Sequence, residues 1–160
     1  IADGRDTIPV EVDLLILSFL GHFAWELLQA PLFSSLDGTD HFTGIFICLR
    51  ATLGDLGIAI VAFWITAIPG GGRRWVAHLK IRDVCLFFGI GLGLTIGLEF
   101  VNTEVLHRWS YAPEMPRVPG LGTGLAPLAQ WLVVPALFFG ISRGSHAHDN
   151  HGSPVQAGYF

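Results

Sequence analysis

Four long apolar stretches run through this chain, separated by segments rich in glycine, proline or charge, and the pattern predicts four helices. The first covers about Leu14 to Phe33, opening after Glu11-Val12-Asp13 and closing where Pro31 stops regular helix. The second runs from about Phe42 to Ile68 and ends at Pro69-Gly70-Gly71-Gly72. The third runs from about Val84 to His107, and the fourth from about Gly124 to Ser142, with Pro127 in its first turn and Pro135 mid-helix. Each approaches the roughly 20 residues that a helix needs to cross a bilayer.

Composition agrees with that reading. Hydrophobic residues make up 51% of the 160 and charged residues only 14%, and mean hydropathy is +0.55. These values predict an all-α polytopic membrane protein, with residues 1–142 forming one four-span bundle and no separate soluble domain. Residues 1–13 contain no apolar run of the kind a signal sequence uses. The net charge is −4, and the nine Lys and Arg are few and mostly clustered, which excludes a nucleic-acid-binding surface.

Basic residues set the orientation. Arg73, Arg74, Lys80 and Arg82 fall between spans two and three, so that loop is expected in the cytoplasm, and Arg143 after span four agrees. Both termini are then cytoplasmic. The loop from Arg108 to Thr123 lies outside, where Arg108 and Arg117 depart from the rule. Cys48 and Cys85 fall towards opposite ends of the bundle and read as packing residues, not a disulfide.

Against this apolar background three carboxylic acids stand out: Glu26, Asp55 and Glu99. Insertion into a bilayer costs a carboxylate roughly 2.5–3.5 kcal/mol, so such groups mark an interior site, a relay or a pairing surface. Helical rise places Glu26 about 10 Å, Glu99 about 12 Å, His22 about 16 Å and Asp55 about 18–20 Å from the outer end, with Gln130 about 9 Å deep on span four. His22, Glu26 and Gln29 share one helical stripe, and Thr95, Glu99 and Asn102 share another. Only His22 and Arg50 offer positive charge near these acids, so the three cannot all be comfortably ionised.

Two chemistries fit this set. His22, Glu26, Asp55 and Glu99 are a hard donor set for iron, manganese or zinc, although HxxxE lacks the second histidine that makes HExxH specific. A haem held by two histidines is disfavoured, because His22 is the only histidine deep in a span. The alternative is acid–base chemistry by Glu26, Asp55 and Glu99 on a quinone, carotenoid or other lipid, with Gln29, Asn102, Trp109, Tyr111 and Gln130 as binding residues. Trp109 and Tyr111 suit either a headgroup anchor or a lid above the acids.

Two features point to partners beyond the bilayer. Gly89, Gly93 and Gly97 form a small-residue ridge facing away from the Glu99 stripe, suited to packing within the bundle or against another subunit. The tail at 143–160 carries His146, His148, Asp149 and His151, and is expected either to stay solvated, to take a metal, or to rest against a neighbouring subunit.

The segments GHFAWELLQAPLF from Gly21, ATLGD ending at Asp55, Glu99, WSYAPEMP from Trp109 and GLAPLAQW from Gly124 resemble a group of small bacterial four-helix membrane proteins. The resemblance spans nearly the whole chain and implies the fold and an inner-membrane location, but no activity. A looser likeness to membrane carotenoid cyclases and hydratases matches none of their motifs closely enough to carry catalytic residues over. The expectation is a subunit of a larger membrane complex with a buried His/Glu/Asp site, or a self-sufficient intramembrane enzyme.

Overall fold

A computed structural model describes residues 9–149. It holds four α-helices: α1 (Val10–Gln29), α2 (His41–Gly70), α3 (Ile81–Phe100) and α4 (Leu125–Asp149). Among the described residues there are no strands, only the isolated bridges Phe33–Tyr111 and Arg117–Gly124. Two helical stretches, His41–Gly70 and Ile81–Val105, are long and apolar enough to cross a membrane.

Local chemistry sets the helix ends. α1 begins directly after Pro9 and stops at Gln29, four residues short of the expected Phe33, because the chain tightens into a 3₁₀ turn (Ala30–Leu32) around Pro31. Asp40 caps α2, its carboxylate accepting the Phe42 and Thr43 backbone N–H groups at 3.1 Å each. Gly71, at φ 84°, closes the other end in a left-handed conformation that a side chain would strain. After Phe100 the third helix loosens into a π-turn (Val101–Val105). α4 runs seven residues beyond Ser142, and the tail side chains His146, His148, Asp149 and His151 lie outside the described residues.

The helices pack as a ring, α1 on α2 and α4, and α3 on α2 and α4. The core is an aromatic layer: Phe63 of α2, Phe87 of α3, and Trp131, Phe138 and Phe139 of α4. Trp75, from a 3₁₀ segment (Arg73–His78), tucks into the same layer with its ring 5.7 Å from those of Phe63 and Phe139. Gly91 makes the tightest approach, because a Cβ there would lie 2.4 Å from the Trp131 ring.

Three packing expectations need correction. Gly89, Gly93 and Gly97 do not pack within the bundle; all three are exposed and a Cβ on any of them would meet open space. Cys85 is exposed on the same stripe, whereas Cys48 is buried, and both thiols are free. Arg50 is exposed on the outward face of α2 and supplies no cation to the acids.

Candidate functional site

The polar stripe of α1 turns into the ring and meets α2 and α4 at one point. Gln130 of α4, 1% exposed, places its Nε2 2.9 Å from His22 Nδ1, 3.2 Å from Glu26 Oε1 and 3.1 Å from Asp55 Oδ2. Trp131 next to it donates its indole N–H to Asp55 Oδ1 at 3.3 Å. The Glu26 and Asp55 carboxyl groups thus share one amide nitrogen as a donor.

The orientation of the amides follows from donor chemistry. The Trp25 indole can only donate, so the Gln29 oxygen that receives it at 3.2 Å is fixed as the acceptor. Gln29 Nε2 then donates to Glu26 Oε1 at 2.9 Å and to Gln130 Oε1 at 3.3 Å. That fixes Gln130 with its two N–H protons towards His22, Glu26 and Asp55. Three partners compete for two protons. The shortfall is met when His22 Nδ1 carries a proton and turns it towards Asp55 Oδ2, 3.5 Å away. The second imidazole nitrogen, Nε2 of the fully buried His22, has no hydrogen-bond partner.

Glu99 sits beside this group but is held from above. Its carboxylate accepts hydrogen bonds from Tyr111 Oη and, at 3.4 Å, from Trp109 Nε1. The loop carrying them is stitched to the α1–α2 connection: Ala112 N–H donates to Leu32 O at 2.9 Å, and the Ser34 and Ser110 hydroxyls lie 2.8 Å apart. Tyr111 is buried against Phe33 and Met115, with the Arg117 guanidinium 5.1 Å above its ring. It is therefore part of a cover over the acids and not an exposed headgroup anchor. Burial pushes its phenol well above the ordinary tyrosine range, and the hydrogen bond to Glu99 acts in the same direction.

Of the residues singled out from sequence, His22, Glu26, Gln29, Asp55 and Gln130 join directly, and Glu99, Trp109 and Tyr111 form the adjoining cover. Asn102 and Thr95 do not join. Each bonds the backbone of its own helix, Asn102 to Leu98 O at 2.7 Å and Thr95 to Gly91 O at 2.9 Å. Asn102 also accepts from Arg108 at 3.3 Å, which gives one of the two arginines that departed from the charge rule a partner. Trp25 and Trp131 were missed, although the Trp25-Glu26 and Gln130-Trp131 dipeptides set each indole beside a recognised polar residue.

The expected metal set of His22, Glu26, Asp55 and Glu99 is not assembled as a ligand group among the described residues. No three or more His, Cys, Asp or Glu among the described residues are arranged to hold a metal ion. The Gln130 amide nitrogen fills the place between His22, Glu26 and Asp55 that a cation would need. What remains is a hydrogen-bonded acid cluster with an unpaired imidazole nitrogen.

Comparison with protein-family models, curated proteins and solved structures gave no match for this chain.

Proposed function

We propose that this is a four-span protein of the bacterial inner membrane, both termini cytoplasmic, that binds a lipophilic molecule with a hydrogen-bonding head group, such as a quinone or an oxygenated isoprenoid. The observation that carries the reading is the convergence of His22, Glu26 and Asp55 on Gln130, with Glu99 tying down the outer loop beside them.

The bilayer setting is supported by exposure. Only 28% of the most apolar window of α2 and 17% of that of the third helix is buried within the chain, whereas a core helix of a soluble protein would be mostly covered. Leu20, Leu28, Phe46, Leu53, Ile68 and Leu137 are all exposed. Lipid is the natural cover for such a surface.

Phe63, Trp75, Phe87 and Phe139 close the inner half with a packed aromatic layer, which disfavours a pathway across the membrane. A site reached from the outer half suits a lipid-soluble ligand working within an assembly. The second reading, acid–base catalysis on that ligand, draws on the unpaired Nε2 of His22, whose Nδ1 lies 3.5 Å from Asp55 Oδ2.

Solvent extraction of the purified protein tests the proposal. A discrete lipophilic compound is expected from the wild type, and much less of it from Asp55→Asn.

A further inference from the structure

Between Phe46 and Val61 the exposed face of α2 is apolar except at Arg50. Phe46, Arg50, Gly54, Gly57 and Val61 follow one another at helical spacing on that face, and all are exposed. Arg50 has no ion pair or hydrogen bond among the described residues. It lies nine positions past His41, about 14 Å from the outer end of the helix by rise. In the four-span reading, on which this inference rests, that places an unpaired guanidinium against lipid. Such a charge is expensive unless an acid meets it.

The neighbouring helix supplies the complement. Gly89, Gly93 and Gly97 of α3 and Glu104 of the following π-turn share an outward stripe, all are exposed, and Glu104 has no partner among the described residues. A single chain does not bring these faces together, because both point outwards.

We infer that the α2–α3 side of this protein is a two-fold interface with a second copy of the same chain, in which Arg50 of each copy pairs with Glu104 of the other. α2 and α3 are adjacent and run in opposite directions, so a two-fold axis along the membrane normal lays α2 of one copy on α3 of its partner, twice over. Glycines at 54, 57, 89, 93 and 97, each with open space where a Cβ would point, let the backbones approach. Side chains lean towards the N-terminal end of their helix, so Arg50 leans outwards and Glu104 inwards, each towards the other. The alternative of α2 against α2 sets the two Arg50 charges together and is rejected on that ground.

The test is charge reversal. The wild type, R50E, E104R and the R50E/E104R double variant are purified from membranes into lipid nanodiscs or mild detergent, and the dimer dissociation constant is measured. Each single reversal is expected to weaken the dimer at least about 100-fold, and the double variant to return within about tenfold of wild type. The recovered double variant also shows that the chain still folds. G93L, with both charges intact, is expected to give a folded monomer.

A monomeric wild type from membranes, a dimer indifferent to both reversals, or a double variant without recovery overturns the inference and leaves the bilayer reading standing. Release of a different protein by R50E overturns the assignment to a second copy. Recovery of the chain in the soluble fraction overturns the bilayer reading together with this one.

Discussion

The Gln130 amide nitrogen lies 2.9 Å from Nδ1 of His22, across 108 residues of sequence and between two helices. The same nitrogen touches Glu26 and Asp55, so one side chain joins three of the four titratable groups of the site. Gln130→Glu keeps the shape and removes both N–H donors while adding a fourth acid. Leaving a buried acceptor without its donor costs about 1–3 kcal/mol, so a clear drop in melting temperature is expected in detergent. A melting curve that overlays wild type would show that Gln130 does not hold the cluster.

Tyr111 carries a pH dependence that can be read optically. Its phenol is held above the ordinary range by burial and by the bond to Glu99. For a group with a raised folded value, the stabilisation is fully present below the unfolded value, near 10 for tyrosine, and is lost as pH rises through the folded value. The cover over Glu99 is therefore expected to persist through neutral and mildly alkaline pH. Phenolate absorbance should show Tyr111 resisting ionisation until well above pH 10 in the native protein, and a Tyr111→Phe difference spectrum assigns the signal. Tyr111→Phe should also raise proteolytic cleavage within residues 108–124 without unfolding the bundle.

Gly91 offers a packing test with an internal control. An added methyl would sit 2.4 Å from the Trp131 ring, and Trp131 is fixed by its bond to Asp55. Gly91→Ala is expected to cost about 1–3 kcal/mol through overpacking. Gly140→Ala, where the space beyond is open, should be neutral or stabilise by up to about 1 kcal/mol through helix propensity. Chemical denaturation in detergent checks both, and equal effects would contradict the packing described.

How much of this was legible in the sequence depends on the scale. The four helices follow from apolar runs and from Pro31 and the Pro69-Gly70-Gly71-Gly72 run at their ends, because those signals are local, whereas the Asp40 cap was not read from sequence. The stripe of His22, Glu26 and Gln29 was legible for the same reason. Partners on other helices were not: Thr95 and Asn102 share the spacing of Glu99, yet their side chains are drawn to their own backbone carbonyls. Spacing likewise marked Gly89, Gly93 and Gly97 but could not show that Gly91 faces inwards. Residue type likewise says nothing about what lies between His22, Glu26 and Asp55, and there it is the Gln130 amide.

Orientation is tested by labelling. In a background with Cys48 and Cys85 replaced by serine, Glu114→Cys should react with a membrane-impermeant thiol reagent in intact spheroplasts, and Lys80→Cys only after lysis. The Lys80 loop reacting first would invert the topology and place the acids in the inner half.

The central claim is that the His22–Glu26–Asp55–Gln130 cluster holds a lipophilic ligand, and the most direct measurement is the stoichiometry of what comes off the protein. Membranes are solubilised gently, and the purified chain is extracted with organic solvent and analysed by mass spectrometry against an equally treated Asp55→Asn variant. The account predicts one dominant compound with a polar head group, near one equivalent per site in the wild type and at least tenfold depleted in the variant, a difference of roughly 1.4 kcal/mol in binding. Only bulk lipid in both samples, with no compound enriched by the wild type, would contradict it.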